Sequence, residues 1–296
     1  MKNVKNLVRF LTIWLLVFPC ISVGKFSSKK DVLDFFKLYG TKETAQKMVS
    51  IITEKKKGVY FRFGDGDVNL ATHWADMLQP PSEPLRIEMR EAFAIQGDTV
   101  LKALPVHCKD LESSEPGMAP GLFAADLPWC LNLLNKALPV WNIAVRDIYS
   151  AYMLAYFSSE DQDTLIWFLS FLKKNNTCLL VGNKNIPVFV RTVLFGSQCD
   201  FVPTPPAQSY REIDRIEREC LEKIANQGPE YKVVVISMGC SGRVLAKRLW
   251  GKLDNVFLFD FGSLMDALCG WQTRSWIEYA PKLDGKKLLA RLAEVL

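Results

Sequence analysis

The sequence has few of the residues and spacings on which metal cages and disulfide frameworks are built. Its 296 residues include only two histidines, and none of its eight cysteines belongs to a Cys-x-x-Cys pair. This argues against a structural zinc site, whose ligands come in closely spaced pairs. Cys130, Cys178, Cys240 and Cys269 lie in or beside apolar runs, where a reduced, buried thiol is expected. We therefore expect no complete disulfide framework.

The chain also lacks the usual signatures of dinucleotide, ATP and nucleic-acid binding. The glycine-containing stretch Gly239–Arg243 is neither a complete Gly-x-Gly-x-x-Gly motif nor a Walker loop. The lysine run Lys55–Lys57 has no interleaved aromatic residues, so it is expected to solvate a helix end and not to bind nucleic acid. The formal net charge of +5 suits an anionic small substrate without requiring one.

The first 24 residues have the order of a targeting segment. Basic residues precede the apolar run Phe10–Phe18, and small residues follow at Ser22 and Gly24. This order predicts a secretory signal peptide cleaved after Gly24. An uncleaved membrane anchor is the first alternative, because the segment from Leu7 to Val23 is at the short limit of a spanning helix. A cytosolic protein with an apolar N-terminus is the second.

After residue 24, short apolar runs alternate with helical patterns, most clearly in the second half. Strands are predicted near residues 58–64, 177–182, 199–204, 231–238 and 255–261. The span from Val68 to Phe157 is predicted to be mainly helical. The pattern indicates one α/β domain over residues 25–296, Rossmann-like, with a mostly parallel sheet and helices on both faces. Ligands bind such sheets at the carboxyl ends of the strands, so the loops there are the candidate sites.

The loop after the first predicted strand carries two closely spaced carboxylates, Asp65 and Asp67, between Arg62 and the next helix. Both can approach a hard cation such as Mn²⁺ or Mg²⁺, and Gly64 and Gly66 let a phosphate come close. The alternative is a turn whose aspartates cap the following helix. In either case we expect the turn to face solvent. Spacing alone does not separate the two interpretations.

Three later loops carry further candidates for binding a phosphorylated ligand. Asn183 and Lys184 follow a strand and are placed to hold a phosphate or a ribose, or to form an ordinary turn. Gly239 and Ser241 open a helix whose backbone N–H groups attract anions. Asp260 is a candidate for binding or for capping.

The segment after Asp260 adds a carboxylate and two indoles. Asp266 is a candidate to accept a proton or to hold a sugar hydroxyl. Trp271 and Trp276 are candidates to stack on a pyranose ring. Together these side chains suit a carbohydrate.

The segment from Gly58 to Trp276 carries, in this order, the motifs Arg-Phe-Gly-Asp-Gly-Asp, Val-Gly-Asn-Lys, Pro-Pro-Ala-Gln-Ser-Tyr, Ser-Met-Gly and Asp-Phe-Gly-Ser-x-x-Asp. This ordered set resembles glycosyltransferases of the GT-D fold. The resemblance implies a Rossmann-like enzyme that uses a nucleotide sugar, commonly a UDP-sugar, with an Asp-x-Glu motif at the metal and diphosphate. Here Asp67 stands where that family has glutamate. Ser263 stands where its members often have histidine.

The sequence therefore predicts a metal-dependent glycosyltransferase acting on a glycan or glycoprotein. Two alternatives remain at this point. One is another metal-dependent phosphoryl or nucleotidyl enzyme, and the other is an inactive module that binds sugar nucleotides. The leader predicts the secretory pathway or membrane association, and a catalytic domain that faces the cytosol is compatible with an anchor.

Overall fold

In the computed structural model, the residues described are 25–72, 79–106, 127–141, 146–279 and 283–295. Within them one sheet contains eight strands: β1 (Lys37–Leu38), β2 (Gly58–Arg62), β3 (Val100–Leu104), β4 (Asp147–Ser150), β5 (Thr177–Asn183), β6 (Asp200–Thr204), β7 (Lys232–Ser237) and β8 (Val256–Asp260). The strand order is β1-β4-β3-β2-β8-β7-β5-β6. Every pairing between neighbouring strands is parallel.

Helices connect the strands and cover the sheet. They are α1 (Lys29–Phe35), α2 (Thr41–Thr53), α3 (Asp65–Ala71), α4 (Glu83–Ala94), α5 (Leu127–Ala137), α6 (Met153–Glu160), α7 (Gln162–Lys174), α8 (Val188–Phe195), α9 (Ile213–Asn226), α10 (Ser241–Trp250), α11 (Leu264–Leu268), α12 (Ser275–Tyr279) and α13 (Gly285–Val295). A short 3₁₀ helix, Ser209–Glu212, precedes α9.

The continuous apolar strands form because both faces of the sheet are buried. In β7, Val234 and Ile236 belong to one hydrophobic core, while Val233 and Val235 belong to the other. This alternation follows from the period of two along a strand. The predicted Rossmann-like α/β architecture is confirmed, and each of the five predicted strands is present within one or two residues of its expected bounds.

The prediction that the span from Val68 to Phe157 is mainly helical was wrong for β3 and β4, and β1 was also missed. Strand β3 reads Val-Leu-Lys-Ala-Leu, and the lysine interrupts its apolar run. Lys102 is nevertheless fully buried, because its ammonium group donates to the carbonyl oxygen of Phe93 and lies over the Trp141 ring. A tertiary contact of this kind leaves no local signal in the sequence.

The predicted leader, residues 1–24, lies outside the described residues. Among the helices of the described part of the chain, none combines the length and the apolar character needed to cross a membrane.

Candidate functional site

A cavity of about 280 Å³ opens at the carboxyl edge of the sheet. It receives residues from the ends of β2 to β8 because parallel strands all end on the same side. The predicted site residues that line it are Arg62, Gly64, Asp65, Gly66, Asp67, Asn183, Gly239, Ser241 and Asp266. Two predicted residues, Lys184 and Asp260, are not part of its lining.

The two aspartates after β2 lie in different environments. Asp65 is the first residue of α3 and is exposed, and its Oδ1 accepts a hydrogen bond from the N–H of Gly66 at 2.9 Å. Asp67 is only 2% exposed, and its Oδ2 accepts from the N–H of Gly64 at 2.7 Å. Side chains two residues apart on a helix do not share a face. The expectation of a solvent-facing turn was therefore wrong for Asp67, which α3 turns inward and uses as part of its cap.

Asp67 belongs to a buried ionic cluster with Arg243 and Asp260. Nη2 of Arg243 lies 3.4 Å from Asp67 Oδ2 and 3.1 Å from Asp260 Oδ2. The same guanidinium donates to the carbonyl oxygens of Arg62 and Gly239. Burial opposes the charge of Arg243, but the two carboxylates outweigh it and raise the pKa of the guanidinium. Asp260 is not part of the cavity lining, and it is linked to the site through its ion pair with Arg243.

The cluster contains two carboxylates and one guanidinium. Burial raises the pKa of Asp67 despite the neighbouring Arg243 and the Gly64 N–H group, and the Cys240 thiol acts on the same carboxyl as a weak donor. Oδ1 of Asp67 is buried and accepts no hydrogen bond of regular geometry among the described residues. Such an oxygen, on a carboxylate not fully neutralised by its guanidinium, fits a hard cation.

The site fits only a cation that takes part of its ligands from the substrate and from water. In the described residues, no group of three or more histidine, cysteine, aspartate or glutamate side chains is arranged to hold a metal. Mg²⁺ commonly binds through one or two carboxylates and completes its shell with water and phosphate oxygens. Both aspartates line the cavity despite their different orientations on α3, so Asp67 could supply one such ligand and Asp65 a second.

The N-terminus of α10 forms another wall of the cavity. Cys240 precedes this helix and provides no side-chain cap. The N–H groups of Gly242 and Arg243 donate to the carbonyl oxygens of Gly239 and Cys240, and the positive end of the helix dipole faces the site. The hydroxyl of Ser241 donates to Oε1 of Gln79 at 3.1 Å, and the same oxygen accepts from the Tyr210 N–H at 3.3 Å. Gln79 thereby links α10 to the 3₁₀ helix that contains Tyr210.

The loop after β5 contributes less than expected. Oδ1 of Asn183 accepts from the N–H of Asn185 at 3.0 Å, which makes the loop a local turn, although Asn183 still lines the cavity. Lys184 is exposed and does not line the cavity. The structure thus places Asn183 at the site and leaves Lys184 outside the cavity lining.

Arg62 and Asp266 meet beside the turn after β8. The Arg62 guanidinium lies against Gly262, at a point where any side chain on Gly262 would collide with it. Oδ2 of Asp266 accepts a 2.5 Å hydrogen bond from the Thr273 hydroxyl. Burial raises the pKa of Asp266, while Thr273, Arg274 and Arg62 act in the opposite direction. A carboxyl with a raised pKa in a cleft suits proton transfer.

Sequence reasoning did not assign Arg243, Gln79 or Tyr152 to the site. Arg243 carried a usable signal, because a cation in the first turn of a helix opposes the helix dipole and needs an acidic partner. Gln79 and Tyr152 carried none, since neither belongs to a motif and both reach the cavity through tertiary packing.

Solved structures with the same architecture include proteins that contain the domain of unknown function 1792. A glycosyltransferase with this domain from Streptococcus sanguinis is 17% identical, with a TM-score of 0.58 over 80% of this chain and 84% of that one. A selenomethionine-substituted structure of the domain is 17% identical, with a TM-score of 0.56 over 82% and 85%.

A third structure, of a domain described as highly conserved and as having a distinct glycosyltransferase fold, is 16% identical, with a TM-score of 0.53 over 79% and 82%. No protein-family model and no curated protein matches the sequence. The chain therefore has the glycosyltransferase fold of the DUF1792 domain, which is the GT-D fold that its motifs resemble.

Proposed function

We propose that the chain is a glycosyltransferase that moves a sugar from a nucleotide sugar to a hydroxyl of a glycan or glycoprotein. UDP-sugars are the first donors to test. A fold does not fix an activity, so the proposal depends on the site. The observation that supports it is the meeting of Arg62, Asp65, Asp67 and the uncapped N-terminus of α10 in one cavity. That combination suits a diphosphate.

The residues of the cavity divide the chemistry between them. Transfer breaks the bond between the anomeric carbon and a diphosphate oxygen, and the electron pair leaves with the nucleoside diphosphate. Arg62 and the α10 N-terminus would stabilise the growing negative charge. The acceptor oxygen forms the new bond and releases its proton, for which Asp266 is the proposed acceptor.

A divalent cation, Mn²⁺ or Mg²⁺, belongs to this proposal. Asp67 would hold it through Oδ1, with Asp65 as the second carboxylate. When bound, the cation would neutralise charge on the diphosphate. Arg243 and Asp260 would fix the orientation of Asp67.

The location of the enzyme is part of the same proposal. Nucleotide sugars are chiefly cytosolic, whereas residues 1–24 predict export. An anchor with the catalytic domain facing the cytosol, or a secretory compartment supplied with nucleotide sugars, satisfies both conditions. We propose membrane association or the secretory pathway on this basis.

The test is a screen of nucleotide sugars for thermal stabilisation of the protein with and without Mn²⁺. A ligand at about 100 times its Kd adds roughly 2.7 kcal/mol to the free energy of unfolding. Free sugars and Mn²⁺ alone are the controls. We expect one class of nucleotide sugar to raise Tm more in the presence of Mn²⁺. If no nucleotide sugar raises the Tm, the proposal is contradicted.

Turnover then separates the three interpretations of the sequence. Transfer to an added glycan supports the glycosyltransferase. Cleavage of the nucleotide within its diphosphate supports a phosphoryl or nucleotidyl enzyme. Binding without any turnover supports an inactive sugar-nucleotide module.

A further inference from the structure

Besides the residues of the proposed diphosphate site, the cavity is lined by side chains from the start of α6, the turn after β8, α11 and the start of α12, here called its second end. The residues there are Tyr152, Ala155, Ser263, Asp266, Arg274 and Trp276. Helix α11 packs against α6 and carries Asp266. The chemistry of this part of the lining differs from that of the diphosphate site.

Trp276 presents an aromatic surface at this end. Its Nε1–H donates to the hydroxyl of Ser263 at 2.9 Å, and the ring is partly buried against the core on that side of the sheet. The one polar atom of the indole is therefore already bonded within the protein. What remains for a ligand is the apolar ring, held in one orientation by Ser263. Trp271, the other candidate, does not line the cavity.

Asp266 supplies the polar counterpart. The Thr273 hydroxyl holds Oδ2 at 2.5 Å, and in the described part of the chain Oδ1 accepts no hydrogen bond. Arg274, two residues before Trp276, also lines the cavity. An apolar ring beside a carboxylate with a free oxygen and a guanidinium matches a pyranose, which has a C–H face and hydroxyls around its edge.

We propose that Trp276, Asp266 and Arg274 form a pyranose-binding subsite for the acceptor, and that Ser263 and Thr273 are its positioning residues. The inference rests on the proposed function and adds that the acceptor is a saccharide and not an unglycosylated peptide side chain. The sugar ring stacks on Trp276, and its reacting hydroxyl donates to Asp266 Oδ1. The proton then passes to that carboxylate as the oxygen bonds to the anomeric carbon of the donor, while the bond from that carbon to the diphosphate oxygen breaks and its electron pair leaves with the nucleoside diphosphate.

The donor sugar is the other pyranose that could occupy this end, so the experiment measures donor and acceptor separately. The variants are Trp276→Ala, Trp276→Phe and Ser263→Ala. Trp167→Ala is the matched control, because Trp167 is 46% exposed on α7 and does not line the cavity. Each variant is first checked for an unchanged circular-dichroism spectrum and a cooperative melt.

Loss of the ring is expected to raise the acceptor KM about tenfold or more, while the donor KM stays within about twofold. Trp276→Phe keeps an aromatic face and is expected to lose less than Trp276→Ala. Ser263→Ala keeps the ring but removes the hydroxyl that orients it, and is expected to raise the acceptor KM less than Trp276→Ala does. The Trp167→Ala control is expected to match the unmodified protein. A rise in the donor KM instead of the acceptor KM would overturn the assignment.

A binding measurement makes the inference testable without turnover. Saturation-transfer NMR is recorded with methyl β-D-glucopyranoside, methyl β-D-galactopyranoside and an unglycosylated serine/threonine peptide as probes. We expect signal from at least one glycoside, lost in Trp276→Ala and kept in Trp167→Ala. Signal from the peptide alone, or a glycoside signal unchanged in Trp276→Ala, would refute the subsite. If no nucleotide sugar binds while the glycoside signal behaves as expected, the proposed function fails and the saccharide subsite stands.

Discussion

At the scale of single residues, the site depends on how burial separates two aspartates that are alike in sequence. Asp65 is exposed at the first position of α3, whereas Asp67 is buried against Arg243. Metal binding and helix capping can therefore be assigned to each aspartate separately, and one role does not exclude the other. Asp67 contributes to the cap of α3 through its Oδ2. Substitution of Asp67 tests whether its Oδ1 binds a cation.

The substitutions Asp65→Asn and Asp67→Asn test that use. In Asp67→Asn the new amide oxygen can still accept from the Gly64 N–H, and one of the two buried carboxylates that share Arg243 becomes neutral. We therefore expect the Tm of Asp67→Asn to equal or exceed that of the unmodified protein. The Tm of the exposed Asp65→Asn variant should stay within about 2 °C of the unmodified protein. Transfer by Asp67→Asn should fall about 10²-fold if Oδ1 holds the cation. Full transfer by both variants at saturating Mn²⁺ would leave Asp67 with a capping role alone.

The pH dependence of transfer tests Asp266. Burial raises the pKa of this carboxyl, and the Thr273 hydroxyl partly offsets that effect because it bonds the charged form. Thr273→Val removes the hydroxyl while Arg62 and Arg274 remain, and burial keeps the neighbouring Cys269 thiol neutral by raising its pKa to about 12. The pKa of Asp266 should then rise further, and the acid limb of kcat/KM should move to higher pH. Thr273→Ser keeps the hydroxyl and should leave the limb in place, and an unmoved limb in Thr273→Val would argue against Asp266 as the base.

At the scale of elements, the turns that follow the strands decide which side chains reach the cavity. The turn between β8 and α11 is the most constrained of those described above. Gly262 has φ +59°, and its missing side chain leaves the space that the Arg62 guanidinium fills. Gly262 thus links the conformation of this turn to the position of the Arg62 guanidinium at the end of β2.

Gly262→Ala should therefore impair donor binding more than it impairs folding. Positive φ costs an alanine about 1–2 kcal/mol, and the new methyl group also displaces Arg62. Gly228→Ala is the matched control, because Gly228 has φ +80° with nothing near its Cβ position. Both variants should lose similar stability in denaturant titrations. Only Gly262→Ala should raise the donor KM, by about tenfold for a lost charged hydrogen bond, and equal donor KM values would show that Arg62 does not contact the donor.

At the scale of the whole molecule, the described core is built from Phe26 onward. Phe26 is 6% exposed and packs on Phe35 and Phe36. Its N–H donates to Asn135 Oδ1 at 2.8 Å, and its carbonyl oxygen accepts from Asn135 Nδ2 at 2.9 Å. The boundary predicted after Gly24 therefore falls two residues before the first side chain that is buried in the described part of the chain.

Two truncations test that boundary. A chain that begins at Lys25 should stay soluble and melt cooperatively at the Tm of the full chain. One that begins at Lys29 loses Phe26 and its bonds to Asn135, and should be less stable by about 3–5 kcal/mol, the usual cost of removing a buried phenylalanine. Aggregation of the chain that begins at Lys25 would show that residues 1–24 belong to the folded core.

Hydrophobic patterning along the chain is enough to predict the class of sheet and the loops that carry the site. Long apolar strands such as Val233–Ile236 are readable because burial on both faces removes the need for polar residues. Once the strands are parallel, their carboxyl ends must converge, so Arg62, Asp67, Ser241 and Asp266 could be expected to meet. The short strands β1, β3 and β4 were missed because a two-residue strand, a buried lysine and a short polar end give no periodic signal.

Tertiary structure alone decided what each of those side chains does. Local spacing could not show that α3 turns Asp67 inward and leaves Asp65 exposed, because that depends on Arg243, which is far away in the sequence. Nor could it show that Lys184 stays outside the cavity while Gln79 enters it. Hydrophobic patterning is a local property that the chain carries along its length. Charge pairing and the shape of a cavity arise only when distant segments pack together, and these set the chemistry of the site.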